Sequence, residues 1–264
     1  MFVPDNVSFV NRDDLLPEIR AQRWTGHNIP LADGSTLGPD VPLIGDDART
    51  IVIKSLARPL GARRVLDVGS LEGGLSYEMA REGYEVLGIE GREENFEKSE
   101  LIRRHHALPN LRFELRDAKT LSRERDGEFD AILCCGLLYH LDDPFVFLRT
   151  MASMLSSNGL LFIDTHVAPD GELPGYALSP LTTLDNYEGR WFAEPRGGSV
   201  LDEMWSAISN ERSFWPTRKS LIRAIYHAGL HQIHELFGVF EIDREFGLRE
   251  QFSRVYLACR KEWI

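Results

Sequence analysis

The chain is predicted to fold as an α/β domain around a mostly parallel sheet, and three features of its sequence predict it. Between residues 62 and 165, short apolar runs alternate with amphipathic stretches at the spacing of βαβ units. A glycine-rich turn, Gly69-Ser70-Leu71-Glu72-Gly73-Gly74, follows the first of those runs. Past residue 216, one more helical stretch leads into two strand-like stretches, the pattern of an antiparallel hairpin closing a sheet edge.

The elements follow in order. Residues 1–45 lie outside the alternation and are rich in Pro, Gly and Asp around Trp24-Thr25-Gly26-His27-Asn28-Ile29. They are expected to form an N-terminal cap, with the main domain running from 46 to 264. Residues 64–68 form an apolar run stopped by Gly69, as a buried strand would be, and 75–81 read as a helix closed near Gly83. Residues 85–90 are the second strand, 93–106 the second helix, and 111–115 alternate at period two. A fourth strand is expected at 129–134, a helix at 144–155 and a fifth strand at 160–164, with right-handed crossovers between parallel strands.

Residues 166–215 form a long insertion carrying Tyr176, Tyr187, Trp191, Phe192, Trp205, Phe214 and Trp215. A loop of that length is functional or disordered, and this aromatic density argues for a packed lid, or equally for a dimer contact. Pro216-Thr217 starts the last helix, which Gly229 stops after Ala228. The closing strands are expected at 231–241 and 252–259.

Composition narrows the function. The 264 residues are 43% hydrophobic and 27% charged, as in an ordinary globular protein. No apolar run approaches the roughly 20 residues of a membrane span, and the N-terminus lacks the basic start and apolar stretch of a signal peptide. Three cysteines, two of them adjacent, make neither a disulfide framework nor a zinc pattern, so a reducing, cytoplasmic setting is expected. Acidic residues number 41 against 30 basic, a net charge of −11 that counts against a nucleic-acid partner. His227, His231 and His234 have helical ligand spacing, but Gly229 should end the helix between them, so no metal is expected.

The turn at 69–74 lies at the carboxyl end of a strand, where ligands of open parallel sheets bind. A dinucleotide fingerprint needs a second glycine where this chain has Leu71, which penalises a pyrophosphate ligand. Acids recur at successive strand ends instead. Asp67 ends the first strand. Glu90, 21 residues past Gly69, ends the second and could accept hydrogen bonds from ribose hydroxyls. Asp117 follows the third, either meeting an adenine amino group or capping a helix.

With these residues the region 62–165 resembles class I S-adenosylmethionine (SAM)-dependent methyltransferases. Residues 67–73 match the first motif, Glu90 the second, Asp117-Ala118 the third and residues 129–141 the fourth, although Leu71 replaces the middle glycine of the commonest first motif. The resemblance implies a Rossmann-like, seven-stranded sheet and SAM as cofactor. It implies a cofactor site of Asp67, Gly69, Ser70, Glu72, Gly73, Glu90, Asp117, Ala118, Cys135 and Gly136. More loosely, the flanks are similar to relatives of tRNA wobble-uridine carboxymethyl-transferring enzymes.

Methyl transfer is an in-line displacement, so holding the nucleophile about 3–3.5 Å from the methyl carbon matters more than any one base. His140, just past the fourth strand, and His166, past the fifth, are the candidate bases; each could equally be structural. His27, Tyr139, Tyr187, Arg190 and Trp191 are candidates for holding an acceptor. The expected function is methyl transfer to an O or N atom of a small-molecule acceptor such as a metabolite or sugar. A tRNA-modifying transferase and a non-catalytic SAM-binding protein are the alternatives, and a homodimer is compatible with the lid.

Overall fold

The structure is a computed structural model that describes residues 12–171, 176–195, 206–236 and 254–261. Its centre is a seven-stranded sheet. Five strands run parallel: β3 (Arg64–Val68), β4 (Glu85–Glu90), β5 (Leu111–Leu115), β6 (Phe129–Cys135) and β7 (Leu155–His166). β11 (Gln232–Glu235) and β12 (Arg254–Arg260) complete it, in the order β11-β12-β7-β6-β3-β4-β5. β12 is antiparallel to both β7 and β11, which is the hairpin expected at that edge.

Period-two alternation splits the core between the two faces of the sheet. Val65, Val86, Ala131 and Leu133 point to one side. There they meet helices α3 (Gly74–Arg81) and α4 (Glu93–His106) and the N-terminal residues Ile19, Ile29 and Ile44. Leu66, Leu87, Ile132 and Cys134 point to the other, against α6 (Pro144–Met154) and α7 (Arg218–His227). Caps fix the helix starts: Asp143 accepts from Phe145 and Val146 N–H before Pro144, and Thr217 accepts from Ser220 N–H. Gly229, at φ +90, ends α7 where the sequence says it should.

Within the N-terminal stretch expected to be a cap lie α1 (Leu16–Ala21) and a short hairpin of β1 (Ile29–Pro30) and β2 (Thr36–Leu37); α2 (Ala48–Ala57) follows, and buried residues of all of these share one core cluster with α3 and α4. β7 is longer than expected. Residue 155 is expected to end the preceding helix and the strand to start at 160, yet Leu155 pairs with Phe129 and the register shifts before Leu160 pairs with Ala131. The insertion folds as a three-stranded antiparallel sheet, β8 (Thr182–Leu184), β9 (Tyr187–Ala193) and β10 (Arg212–Pro216). Asp185 and Asn186, both at positive φ, make the two-residue turn between β8 and β9. Pro216, expected to open the last helix, instead ends β10 opposite Gly189. Residues 1–11, Arg196, Trp205, the stretch 237–253 and residues 172–175 lie outside the described residues.

Candidate functional site

The C-terminal ends of β3, β4 and β6, with the loop after β5, open into one cavity of about 390 Å³, roofed by the cap and by residues 206–210. Local backbone chemistry shapes its floor. Gly69 takes φ +72 and Leu71 φ +51, a left-handed conformation that strains a side-chain-bearing residue by about 1–2 kcal/mol. The Leu71 N–H donates to Glu90 at 2.8 Å, and the other Glu90 oxygen accepts from Arg92 N–H at 2.8 Å. Each oxygen keeps a second lone pair for a ligand hydroxyl. Burial raises the Glu90 carboxyl above its ordinary value.

Most backbone N–H groups of this turn are already committed. Gly69 and Ser70 donate to the Ile89 carbonyl, Gly73 to the Ser70 carbonyl and Gly74 to the His27 ring. A pyrophosphate would find no cradle of convergent N–H groups here, so the geometry opposes a dinucleotide. An adenosyl sulfonium compound asks for something else: acids facing hydroxyl, amine and cationic groups. Asp67, Glu90 and Asp117 all line the cavity, as do Gly69, Ala118, Cys135 and Gly136. Ser70 lines it too, and its buried hydroxyl has no protein partner. Asp67 accepts from the Ser76 hydroxyl at 2.7 Å, and burial pushes its carboxyl up to about 6. Asp117 caps a short 3-10 turn through Oδ1 while lining the cavity, so both of its expected roles are compatible. These residues fit the cofactor.

Glu72 and Gly73, expected on the same wall, stand behind it. Glu72 is fully buried and accepts from Thr25 N–H and hydroxyl, Gly26 N–H and His27 N–H at 2.6–3.1 Å. Its carboxylate clamps the cap to the glycine turn. A Cβ on Gly73 would sit 2.8 Å from the Phe113 ring, so this glycine serves close packing of α3.

Three expected acceptor-side residues line the cavity: His27, Tyr139 and His140. His27 accepts the Gly74 N–H at Nδ1, at 3.0 Å, and burial lowers its ring to about 4, so it is neutral. Burial raises the Tyr139 phenol to about 12, making it a proton-bearing donor at neutral pH. His140 sits on the 3-10 turn Leu138–His140 after β6, with Nδ1 3.1 and 3.2 Å from the two oxygens of Glu194. Burial alone would raise the Glu194 carboxyl, but contacts with His140, Ser213 and the Ala207 N–H outweigh it and hold it low.

The other four do not reach the cavity. His166 is buried in a ring cluster, stacked 4.7 Å from Trp215 and edge-on to Tyr139. Tyr187 packs on Phe145 and bonds His227 through its hydroxyl at 2.8 Å. Arg190 donates to the Ser179 carbonyl at 3.0 Å, and Trp191 lies under the Arg212 guanidinium. Tyr187 and Phe214 of the insertion thus join the main core, with Trp191 packed against it, while Trp215 forms a smaller cluster with Tyr176 and Phe192, and residues 206–210 reach the site.

Arg49, Arg92, Glu194 and Arg254 were not singled out from the sequence. Arg49 and Arg254 both line the cavity and both pair with the buried Asp164. Arg92 donates to the Ser206 carbonyl, tying residues 206–210 over the mouth of the Glu90 region. Long-range partnerships of this kind leave no local spacing to read. Among the described residues, no three His, Cys, Asp or Glu side chains gather as a metal would require, and no helix is long and apolar enough to cross a membrane.

Comparison with known proteins agrees with this geometry. A family described as a methyltransferase domain matches residues 45–235. The ubiquinone biosynthesis O-methyltransferase of Xanthomonas axonopodis pv. citri (strain 306) is 35% identical over 132 residues, 48% of this chain and 53% of that protein. Its counterpart in Xanthomonas euvesicatoria pv. vesicatoria (strain 85-10) is 33% identical over 131 residues, with the same coverage. The chain spans about half the length of the curated relatives it matches. Among solved structures, the N-terminal domain of EvdMO1 in the presence of SAH and D-fucose aligns with a TM-score of 0.72 and 27% identity. That alignment covers 96% of this chain and 98% of that one. The same domain with SAH bound aligns at 0.68 over 95% and 94%.

Proposed function

The chain belongs to the methyltransferase-domain family, and we propose that it is a SAM-dependent enzyme that methylates a hydroxyl oxygen of a small-molecule acceptor. The observation that carries this reading is His140: an imidazole that lines the same cavity as Gly69, Ser70 and Glu90. Two likenesses support the acceptor class. The Xanthomonas relatives are named O-methyltransferases, and the EvdMO1 domain was crystallised with a sugar. A cytoplasmic setting agrees with three free thiols, Cys134, Cys135 and Cys259. The excess of acidic residues favours a small acceptor over tRNA.

When bound, the cofactor supplies an electrophilic methyl carbon on a sulfonium. Glu90 would take the ribose hydroxyls, Asp117 and Ala118 the adenine edge, and Asp67 with Ser70 the cationic methionine end. Cys135 and Gly136 would line the sulfonium side. Tyr139, protonated, donates a hydrogen bond that orients the acceptor. His140 would accept the proton that the acceptor hydroxyl gives up as its oxygen takes the methyl group the cofactor would supply.

Calorimetric titration with SAM, SAH and NAD, followed by a mass-spectrometric screen of phenolic and sugar hydroxyl acceptors, tests this. Both adenosyl ligands should bind and NAD should not. A hydroxyl acceptor should gain one methyl group, and His140→Ala should slow that about 10²–10⁴-fold with SAM affinity kept. Binding of SAM without transfer to any hydroxyl would refute the proposal in favour of a binding protein.

A further inference from the structure

We propose that Glu194, carried into the site by the lid, fixes the tautomer of His140 so that Nε2 is the nitrogen left to take a proton. The proposal rests on His140 as the base and adds the residue that makes it one. Glu194 follows directly on β9, 54 residues from His140, and its side chain is completely buried.

Its two oxygens are surrounded by donors. The Ser213 hydroxyl on β10 donates to Oε1, and the Ala207 N–H donates to Oε2 at 2.9 Å. His140 Nδ1 lies between them at 3.1 and 3.2 Å. An ionised carboxylate only accepts, and it is held ionised by these same contacts. Nδ1 must therefore carry the hydrogen, and Nε2 keeps its lone pair. The backbone at and just after His140 is also gripped by the insertion: Asn210 donates to the His140 carbonyl at 3.0 Å, and Phe214 N–H to the Leu141 carbonyl at 2.9 Å. A residue serving only to fill space between lid and core would be apolar, because burying a carboxylate is costly without a specific use for its charge.

Glutamine at this position makes the test sharp. The Ala207 N–H cannot rotate, so the amide oxygen of Glu194→Gln must stay toward it. The amide nitrogen then takes the place of Oε1, beside Ser213, which can turn to accept, and 3.1 Å from His140 Nδ1, while the amide oxygen, 3.2 Å from Nδ1, already accepts from the Ala207 N–H. That arrangement favours hydrogen on Nε2 and removes the base without removing the histidine. ¹⁵N NMR of the imidazoles, with His140 assigned by its loss in His140→Ala, should show Nδ1–H in the wild type above its titration and Nε2–H in Glu194→Gln. On a hydroxyl acceptor turned over by the wild type, Glu194→Gln should lower kcat at least a hundredfold and change SAM affinity less than twofold. Glu194→Asp should recover part of the rate. Wild-type His140 protonated on Nε2, or Glu194→Gln with undiminished kcat while His140→Ala is inactive, overturns the proposal. Undiminished kcat in His140→Ala instead refutes the base assignment, which the tautomer measurement leaves separate.

Discussion

Asp67 and His27 line the same cavity, and burial perturbs both, with opposite consequences for stability. Burial raises the Asp67 carboxyl from 3.8 to about 6, only partly countered by the Ser76 hydrogen bond. Its folded value exceeds its unfolded one, so its favourable contribution is complete below pH 3.8 and is lost as pH rises through 6. That difference corresponds to at most about 3 kcal/mol. Burial lowers the His27 ring from 6.5 to about 4, against the attraction of Glu72. Its contribution is complete above pH 6.5 and is lost as pH falls through 4, again by about 3 kcal/mol. Between pH 6.5 and 4 the two nearly cancel in the wild type. Asp67→Asn removes one of them while its amide oxygen still accepts from Ser76. The variant should gain up to about 3 kcal/mol at pH 8 relative to wild type, and that advantage should vanish by about pH 4. Melting curves of both proteins across this range isolate the difference, and parallel curves would mean that the carboxyl titrates normally.

Glu72 shows what a single element can and cannot reveal about itself. Its place in a glycine-rich turn after a strand is the place of a cofactor contact, and the turn is where local reading puts it. Its four hydrogen bonds, however, come from residues 25–27, 45 or more positions away. The segment from Arg64 to Leu115 was legible almost to the residue because apolar periodicity, caps and stop glycines are local signals. Asp67, Gly69, Glu90 and Asp117, which line the cavity, were legible for the same reason, whereas Gly136 is expected only from the family resemblance. The lid was legible as aromatic packing, but its Asp185-Asn186 turn was passed over, and nothing near Glu194 announces a histidine 54 positions back. Glu72→Gln therefore tests an element, the docking of cap onto turn. Its amide nitrogen must face at least one buried N–H, costing about 2–4 kcal/mol of stability. Hydrogen exchange should rise across residues 24–30, and SAM affinity should fall with it, because His27 is part of the cavity wall. Lost SAM affinity with unchanged exchange would restore Glu72 as a direct contact.

Across the whole molecule, one carboxylate joins three parts of the chain that are far apart in sequence. Asp164, fully buried on β7, takes a bidentate pair from Arg254 of β12 and a third bond from Arg49 at the start of α2, at 3.1 Å. Arg49 in turn is held by Asp47, the cap of α2, at 2.9 Å. The antiparallel strand β12, its neighbour β7 and the start of α2 thus meet at one charge cluster beside the cavity. Burial would raise the Asp164 carboxyl, but Arg254 and Arg49 outweigh it and hold it below 3.8. Its folded value is depressed, so its contribution is intact above pH 3.8 and is lost only as pH falls below that. It does not enter the window in which Asp67 and His27 oppose each other. Asp164→Asn leaves two largely buried guanidinium groups with one carboxylate, Asp47, between them. Uncompensated charge of that kind costs about 3–5 kcal/mol. Urea unfolding at neutral pH should show that loss as a lower midpoint with an unchanged slope. A loss under about 1 kcal/mol would mean that the guanidiniums find water or the cavity as readily as Asp164. β12 would then be held by its two ladders and its apolar side chains alone.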